Sequence, residues 1–580
     1  MRWWLPVVLV CVLVGPAVAD PPPVFELPEV LVPGPRPQPL RTTPASVTVI
    51  TRADLERIGA RTVAEALRLV PETTVRAYGG FGSLAEASIR GFGPGQVLVL
   101  IDGIPVNNVA LGQADLSTIS TAGVERIEVL RGAFGAISGS GALGGVINIV
   151  TGGGGSTVRA RNGSYGEHLL RVDLGGPAGS LTLESASTAG ARPNSDAAGF
   201  TARGAWPLGG GRVSVHHTRL YVGTPGDVAF PTPQDRQALI RSLGQFEWGG
   251  ADDPWRVRLS GGTESLTFAS PFGGSTFNST QVAGTVQRQW RLTPARLLVV
   301  GFEAQRQALD ATVFGSPIVR DATVAAGFAQ LDAALSPRAL LSTAVRVDAH
   351  SSYGAAVNPR AGVVVTLDEA TLLRVGAGRT FRGPTFLHLY YPGCSDPALR
   401  PESAWTAEAS IERAARWGRA VFTVFQTDAV NLISGGCPPQ NIGAAFVRGA
   451  SVEARAAWGP WSVLVHATLQ EAVDRTTGTD LPRVPAFSAQ AAVTRVLGPG
   501  SLTLLAGHVG PRRDLDFSVF PAAAVTLPGY TDVAVRYERA MASGWTIVAG
   551  ADNLLDVRYE VVKGYPVPGR TFFLAASRRF

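Results

Sequence analysis

The sequence predicts an all-β transmembrane barrel of about 22 antiparallel strands behind a small N-terminal α+β domain. Three observations lead there. After its first residues the 580-residue chain has no uninterrupted apolar run of the ~18–20 residues that a spanning helix needs. From about residue 152 onward it runs in short segments alternating apolar and polar residues, broken by turns rich in Gly, Pro, Asn and Asp. Charged residues are only 17% of the chain, against ~25% in soluble domains, while the 68 glycines exceed the usual ~7%.

The first segment, MRWWLPVVLVCVLVGPAVAD, has one Arg, an apolar run from Trp3 to Val14, and Ala17-Val18-Ala19 before Asp20. It reads as a cleavable secretory signal over 1–19, too short in its apolar part for a retained anchor. Residues 20–41, DPPPVFELPEVLVPGPRPQPLR, are Pro-rich and read as an extended segment with one β-prone patch, Glu29-Val30-Leu31-Val32.

Residues 42–151 form the α+β unit. Arg61 to Val70 has apolar residues at helical spacing and ends at Pro71. Strands are expected at Ser46–Ile50, Val97–Ile101 and Val124–Leu130. GSGALG, beginning at Gly139, fits the pattern of a dinucleotide phosphate loop, but that loop needs a helix after the glycines. Here a β-branched run, Val146 to Thr151, follows instead, so the glycines are expected to serve a tight turn and close packing.

Residues 152–580 form the barrel. Asp532 to Glu538 puts Val533, Val535 and Tyr537 on one face and Asp532, Ala534, Arg536 and Glu538 on the other. Val452-Glu453-Ala454-Arg455 separates in the same way. Strands wet on one side fit a barrel with lipid outside and water inside, whose closure leaves no unpaired edge. The final stretch, TFFLAASRRF, aligns Phe572, Leu574, Ala576 and Phe580, with Arg578 on the same face snorkelling at the interface.

The net charge of +6 is small for this length and no basic run occurs, which argues against nucleic acid. Cys11 leaves with the signal, and the remaining Cys394 and Cys437, both in turn-like stretches of an exported chain, are expected to pair. His216 and His217 are adjacent on a strand and so on opposite faces, and no catalytic constellation is present; an enzyme is not expected.

SVTVITRADLERIGARTVAEALRLVPETTV, ASIRGFGPGQVLVLIDGIPVN, ADLS, VERIEVLRG and GSGALGGVINIVT resemble, in order and spacing, the plug domain of TonB-dependent outer-membrane receptors. NPRAG (358–362), RTFRGPTFLHLY (379–390), DPALRPESAWTAEAS (396–410), NIGAAFVRGASVEA (441–454) and DNLLDVRY (552–559) resemble barrel segments of the same family. The resemblance implies that the α+β unit is a plug inside the barrel lumen, in the outer membrane of a Gram-negative-type bacterium. One departure is Ser138, where the family usually has Tyr.

Further implications follow from the resemblance. Glu29, Val30, Leu31 and Val32 would be the TonB box, which adds as a strand to the energy-transducing TonB complex. Arg90 and Arg131 of the plug would stand against Glu408 and Glu453 of the barrel. The stretch Pro105 to Ser117 and the compact loops are most similar to the vitamin B12 receptor subgroup, which puts a corrinoid against Tyr78, Phe81 and Ser83 and against Asn107, Asn108, Leu111 and Gln113. That subgroup often holds Ca²⁺ in its extracellular loops, yet only Asp196, Asp227 and Asp235 are available here, too sparse to assign a site. No other cofactor is expected. A ferric siderophore is the alternative ligand, with Arg379, Arg382, Tyr390 and Tyr391 as the residues for an anionic chelate. A monomer surrounded by outer-membrane lipid is expected. The plug and box argue against a passive porin, and the short stretch between Asp20 and Val30 argues against a signalling transducer with an extra N-terminal domain.

Overall fold

The computed structural model describes residues 29–30, 38–250 and 252–580. The expected signal peptide and Leu31 and Val32 of the proposed box lie outside the described residues. Glu29–Val30 forms a two-residue strand paired antiparallel with Gln38–Pro39.

Twenty-two antiparallel strands close into a barrel in which each neighbour follows in sequence and the last, Thr571–Arg579, pairs with the first, Thr157–Gly163. Closure satisfies the backbone groups that an open edge would leave bare in lipid. The alternation read from the sequence sets the faces: Tyr537 and Val452 are exposed on the outside, while Arg536 and Glu453 are buried inside. Phe572, Leu574 and Phe580 likewise face outward on the closing strand.

The two ends of the barrel differ. One carries short turns, such as Gly209-Gly210, whose φ values of 56° and 77° suit the left-handed geometry of a two-residue hairpin. The other carries the longer loops, including 383–401, 475–486, 510–529 and 553–570. Trp206, Trp248, Trp255, Trp290, Trp417, Trp458, Trp461 and Trp545 all stand beside the short turns, leaving only Trp405 elsewhere among the described residues. Such an aromatic girdle marks one membrane interface, and short turns mark its periplasmic side. Gly273–Thr293 and Ser316–Ser336 run 21 residues each, so their upper parts stand above the membrane as wall rather than loop.

Inside lies the plug, built on a five-stranded sheet ordered Val47–Thr51, Val124–Arg131, Gly145–Thr151, Val97–Ile101, Ile104–Pro105. Its core of Ile50, Leu67, Ile89, Ile127, Ile147 and Ile149 is fully buried. The glycines close it as expected. A Cβ on Gly145 would come within 2.3 Å of the Leu130 carbonyl oxygen, and one on Gly144 within 2.8 Å of that of Ile89. The helix expected over 61–70 is shorter: an α-helix spans Val63–Ala66 and a 3₁₀ turn Leu67–Leu69. A second helix, Arg52–Ile58, was not anticipated; Thr51 and Asp54 form its capping box and Gly59 its left-handed C-terminus.

Candidate functional site

A buried charge network joins the plug to the barrel wall formed by 371–474. Arg90 Nε donates to Glu72 Oε2 at 2.6 Å and its Nη2 to Glu408 Oε2 at 2.7 Å, with the guanidinium 4.3 Å from the centre of the Phe425 ring. Arg90 and Glu72 both adopt left-handed backbone, with φ of 50° and 63°, which costs about 1–3 kcal/mol each and is held by the Arg90 N–H donating to the Glu72 carbonyl. Burial opposes ionisation of Glu72, but Arg90 and Arg131 beside it hold its carboxyl below the usual range.

Arg131 departs from the expected arrangement. Its Nε lies 3.4 Å from Glu72 Oε2, and its Nη1 donates to Thr48 Oγ1 at 2.9 Å. Thr48 in turn donates to Glu453 Oε2 at 2.9 Å, so a hydroxyl bridges Arg131 and Glu453, and among the described residues no ion pair joins them directly. A hydroxyl cannot be read as a bridge from sequence spacing, and Glu72 was missed for the same reason. Arg455 adds a link to Asp54 at 3.1 Å and to the Val49 carbonyl, and Arg374 donates to the Thr43 carbonyl at 3.2 Å.

The opposite side of the plug is open. A cavity of about 280 Å³ separates residues 58–83 from the wall formed by 157–167 and 487–571. Charged side chains line it: Arg61, Glu65, Arg68, Arg161, Glu167, Asp532, Arg536 and Asp552. Arg61 reaches Glu167 at 2.8 Å, Arg68 reaches Asp532 at 3.4 Å, and Arg536 Nε donates to the Ile58 carbonyl at 3.2 Å. Burial opposes ionisation of Glu65, yet neighbouring Arg61 brings its carboxyl down to about 2.

The two turns expected to meet ligand stand in different surroundings. Turn 78–83 borders the open cavity; Phe81 lies under Arg61, 5.0 Å from ring centre to guanidinium, and Ser83 lines the space beside it. Tyr78 accepts from Arg483 Nη1 at 3.0 Å and packs edge-on against Tyr565. Below it Glu86 is buried, and this raises its carboxyl to about 7 against the pull of Arg76.

Turn 107–113, by contrast, is covered. Asn107 spends its amide on the backbone of Val97, Val99 and Gly112. Asn108 donates to Glu264 at 2.6 Å and accepts from the amides of Ala110 and Leu111. Both asparagines therefore shape the turn in this arrangement. Leu111 and Gln113 are half-buried. The loop helix Phe386–Tyr390 presses on Ala110 within an apolar cluster that takes in Phe277, Leu309, Tyr390 and Tyr391. A disulfide between Cys394 and Cys437, with Cα atoms 5.0 Å apart, ties this loop to loop 434–440.

The residues considered for an anionic chelate do not converge. Arg379 is paired across the sheet with exposed Trp405 and donates to the Val357 carbonyl, facing away from the lumen. Arg382 is tied to Glu402 at 3.2 Å. The three loop aspartates do not gather either: Asp196 pairs with Arg236 at 2.6 Å and Asp227 caps Ala229, and among the described residues no group of three His, Cys, Asp or Glu could hold a metal ion. This donor set does not fit Ca²⁺. His216 and His217 do lie on opposite faces: His216 Nε2 is 2.9 Å from Asp102 Oδ2 of the plug, and His217 meets Ser242.

Residues 39–146 match the family model of the TonB-dependent receptor plug domain, and residues 149–554 that of the TonB-dependent receptor-like β-barrel. The chain belongs to the TonB-dependent receptor family. The receptor is therefore an outer-membrane protein of a family of receptors and transporters. It is 26% identical over 577 residues to the vitamin B12 transporter BtuB of Photobacterium profundum, covering 94% of each chain. It is also 26% identical to BtuB of Vibrio cholerae, covering 93% of each. Among solved structures it resembles the siderophore receptor PirA of Acinetobacter baumannii, with a TM-score of 0.77 at 16% identity, covering 92% of this chain and 98% of that one. The ferric enterobactin receptor PfeA of Pseudomonas aeruginosa gives 0.78 at 18%, with the same coverage. At these identities the structural likeness speaks for the fold.

Proposed function

We propose that this receptor imports cobalamin or a related corrinoid, driven through TonB. The near full-length similarity to vitamin B12 transporters carries the reading. Two features of the site support it. The arginines available for an anionic chelate are turned outward or already paired. Turn 78–83 presents Phe81 and Ser83 beside open space, with Tyr78 next to them under Tyr565, suited to a large ligand with an amide-rich periphery.

The cavity is smaller than the ~300–1,000 Å³ of ordinary ligand pockets, so a corrinoid rests above it. Binding then requires helix Phe386–Tyr390 to move off turn 107–113 and Tyr565 of loop 553–570 to move off Tyr78. Glu29–Val32 is proposed as the TonB box. The two residue pairs that hold Glu29–Val30 against Gln38–Pro39 are few enough for a partner strand to replace.

Equilibrium dialysis of cyanocobalamin against the purified full-length receptor, followed by corrin absorbance with and without Ca²⁺, tests the ligand. Intrinsic tryptophan fluorescence is a poor reporter, because the described tryptophans lie at the periplasmic girdle or, for Trp405, on the outside. Binding at or below the low micromolar range, weakened at least tenfold by Phe81→Ala with Tyr78→Ala, is expected. No cyanocobalamin binding under either condition, with saturable binding of a ferric siderophore, would overturn the corrinoid reading and leave the receptor class intact.

A further inference from the structure

We propose that the outer surface of the barrel binds anionic phospholipid headgroups of the inner leaflet at a repeated arginine–tryptophan pair near the short-turn end. Three outward-facing arginines carry it. Arg288 lies directly across the sheet from Trp255, Arg495 from Trp461, and Arg578 from Trp545. Each tryptophan is the first residue of its strand after a short turn. All three pairs therefore stand at one height.

In each the guanidinium lies over the indole. The distances to the ring centre are 5.0 Å for Arg288 on Trp255, 5.1 Å for Arg495 on Trp461 and 5.9 Å for Arg578 on Trp545. Arg288 also touches Trp290 at 5.0 Å, and Arg578 touches Phe580 at 5.6 Å. The same faces carry exposed Leu259 and Val286 beside the first pair, Val465 beside the second and Leu574 beside the third. These side chains meet lipid.

Among the described residues, none of the three arginines has an ion pair with a carboxylate. The inward arginines of the same hairpin behave differently, since Arg256 and Arg258 share Glu247 at 3.6 and 3.4 Å. An unpaired cation on a lipid-facing wall is tolerated only near the interface, where it can reach the headgroups. Stacking on tryptophan leaves the guanidinium edge free, and that edge offers paired N–H donors in the geometry a phosphodiester accepts. The short-turn end faces the periplasm, so the available phosphodiesters are those of inner-leaflet phospholipid, and phosphatidylglycerol supplies an uncompensated negative charge.

Native mass spectrometry of the purified full-length receptor with equimolar phosphatidylglycerol and phosphatidylcholine tests this. The wild type is expected to retain phosphatidylglycerol at least fivefold over phosphatidylcholine, and Arg288→Gln with Arg495→Gln to bring the ratio within twofold. Arg413→Gln with Arg539→Gln, at outward-facing arginines without a stacked ring among the described residues, is expected to leave the preference intact. An equal ratio in the wild type, or an equal loss in the Arg413/Arg539 variant, would overturn the proposal. Should the Gln variants fail to fold, brominated lipids in vesicles of the wild type decide. Brominated phosphatidylglycerol must quench the girdle tryptophans more than brominated phosphatidylcholine at the same mole fraction, and equal quenching would also overturn it.

Discussion

One wall of the lumen grips the plug and the opposite wall leaves it wet. Against strands 402–474 the contacts are buried, charged and continuous: side chains of Arg90, Glu72 and Glu408 are 1%, 0% and 6% exposed. Phe92 and Leu143 add an apolar patch against Ala404, Phe425, Ala445 and Val447. Against strands 487–571 a cavity intervenes, and Arg68, whose side chain is 49% exposed, meets Asp532 at 3.4 Å. The sequence offers charges to both walls. Burial decides what they do, because a desolvated pair cannot be broken cheaply whereas a hydrated one exchanges its partner for water. The buried charge network of the plug is thus fixed to the 371–474 wall, with further ties of Asp102 to His216 and of Asn108 to Glu264, and turn 78–83 beside the cavity is the segment freest to shift.

The largest effect should come from breaking the gripped wall. Arg90→Ala leaves two buried carboxylates facing each other and is expected to weaken plug docking by about 3–5 kcal/mol, whereas Arg68→Ala on the open wall should cost less than about 1 kcal/mol. Calorimetry of the purified receptor, with protease sensitivity of the plug as a second readout, checks both. Equal costs would remove the contrast.

Next comes the lid over the gripped side. Loops 383–401 and 434–440 are joined by the disulfide, while loops 510–529 and 553–570 over the open side have no such tie among the described residues. Cys394→Ser with Cys437→Ser is expected to loosen the first lid by about 2–4 kcal/mol. Proteolysis near 391–400 should rise, with no change at 510–529.

The smallest expected effect is a pH dependence at the plug apex. Glu86 is raised by burial to about 7 from an ordinary value near 4.5, so the folded state holds its proton more tightly than the unfolded one. Its contribution to stability is full below about pH 4.5 and disappears as pH rises through about 7. Glu65, brought down to about 2 by Arg61, works in the opposite direction: its contribution is present above about 4.5 and lost on acidification toward 2. Melting temperature between pH 5 and 8 should fall less in Glu86→Gln than in the wild type.

Much of this architecture was legible in the sequence. Period-two alternation around Arg536 and Glu453 assigned inside and outside correctly, because one lumen and one bilayer impose the same rule on every strand. Strand Val97–Ile101 was read to the residue. Helix Arg52–Ile58 was missed because Arg52-Ala53-Asp54-Leu55 has no apolar stripe; its capping box makes it. At the site, the family resemblance pointed to Arg90 and Glu408, which lie 2.7 Å apart. It could not show Glu72 between the arginines or Thr48 before Glu453, since both contacts depend on where the plug sits in the barrel. The bond of Asn108 to Glu264 escaped for the same reason.

Hydrogen exchange of the intact receptor in lipid nanodiscs, read by mass spectrometry, addresses the two walls most directly. Irregular segments should be compared with each other: 40–46 against the gripped wall and 78–83 against the cavity. The contrast between the two walls predicts that 78–83 exchanges at least tenfold faster than 40–46. Equal protection of the two segments, or faster exchange at 40–46, would contradict it.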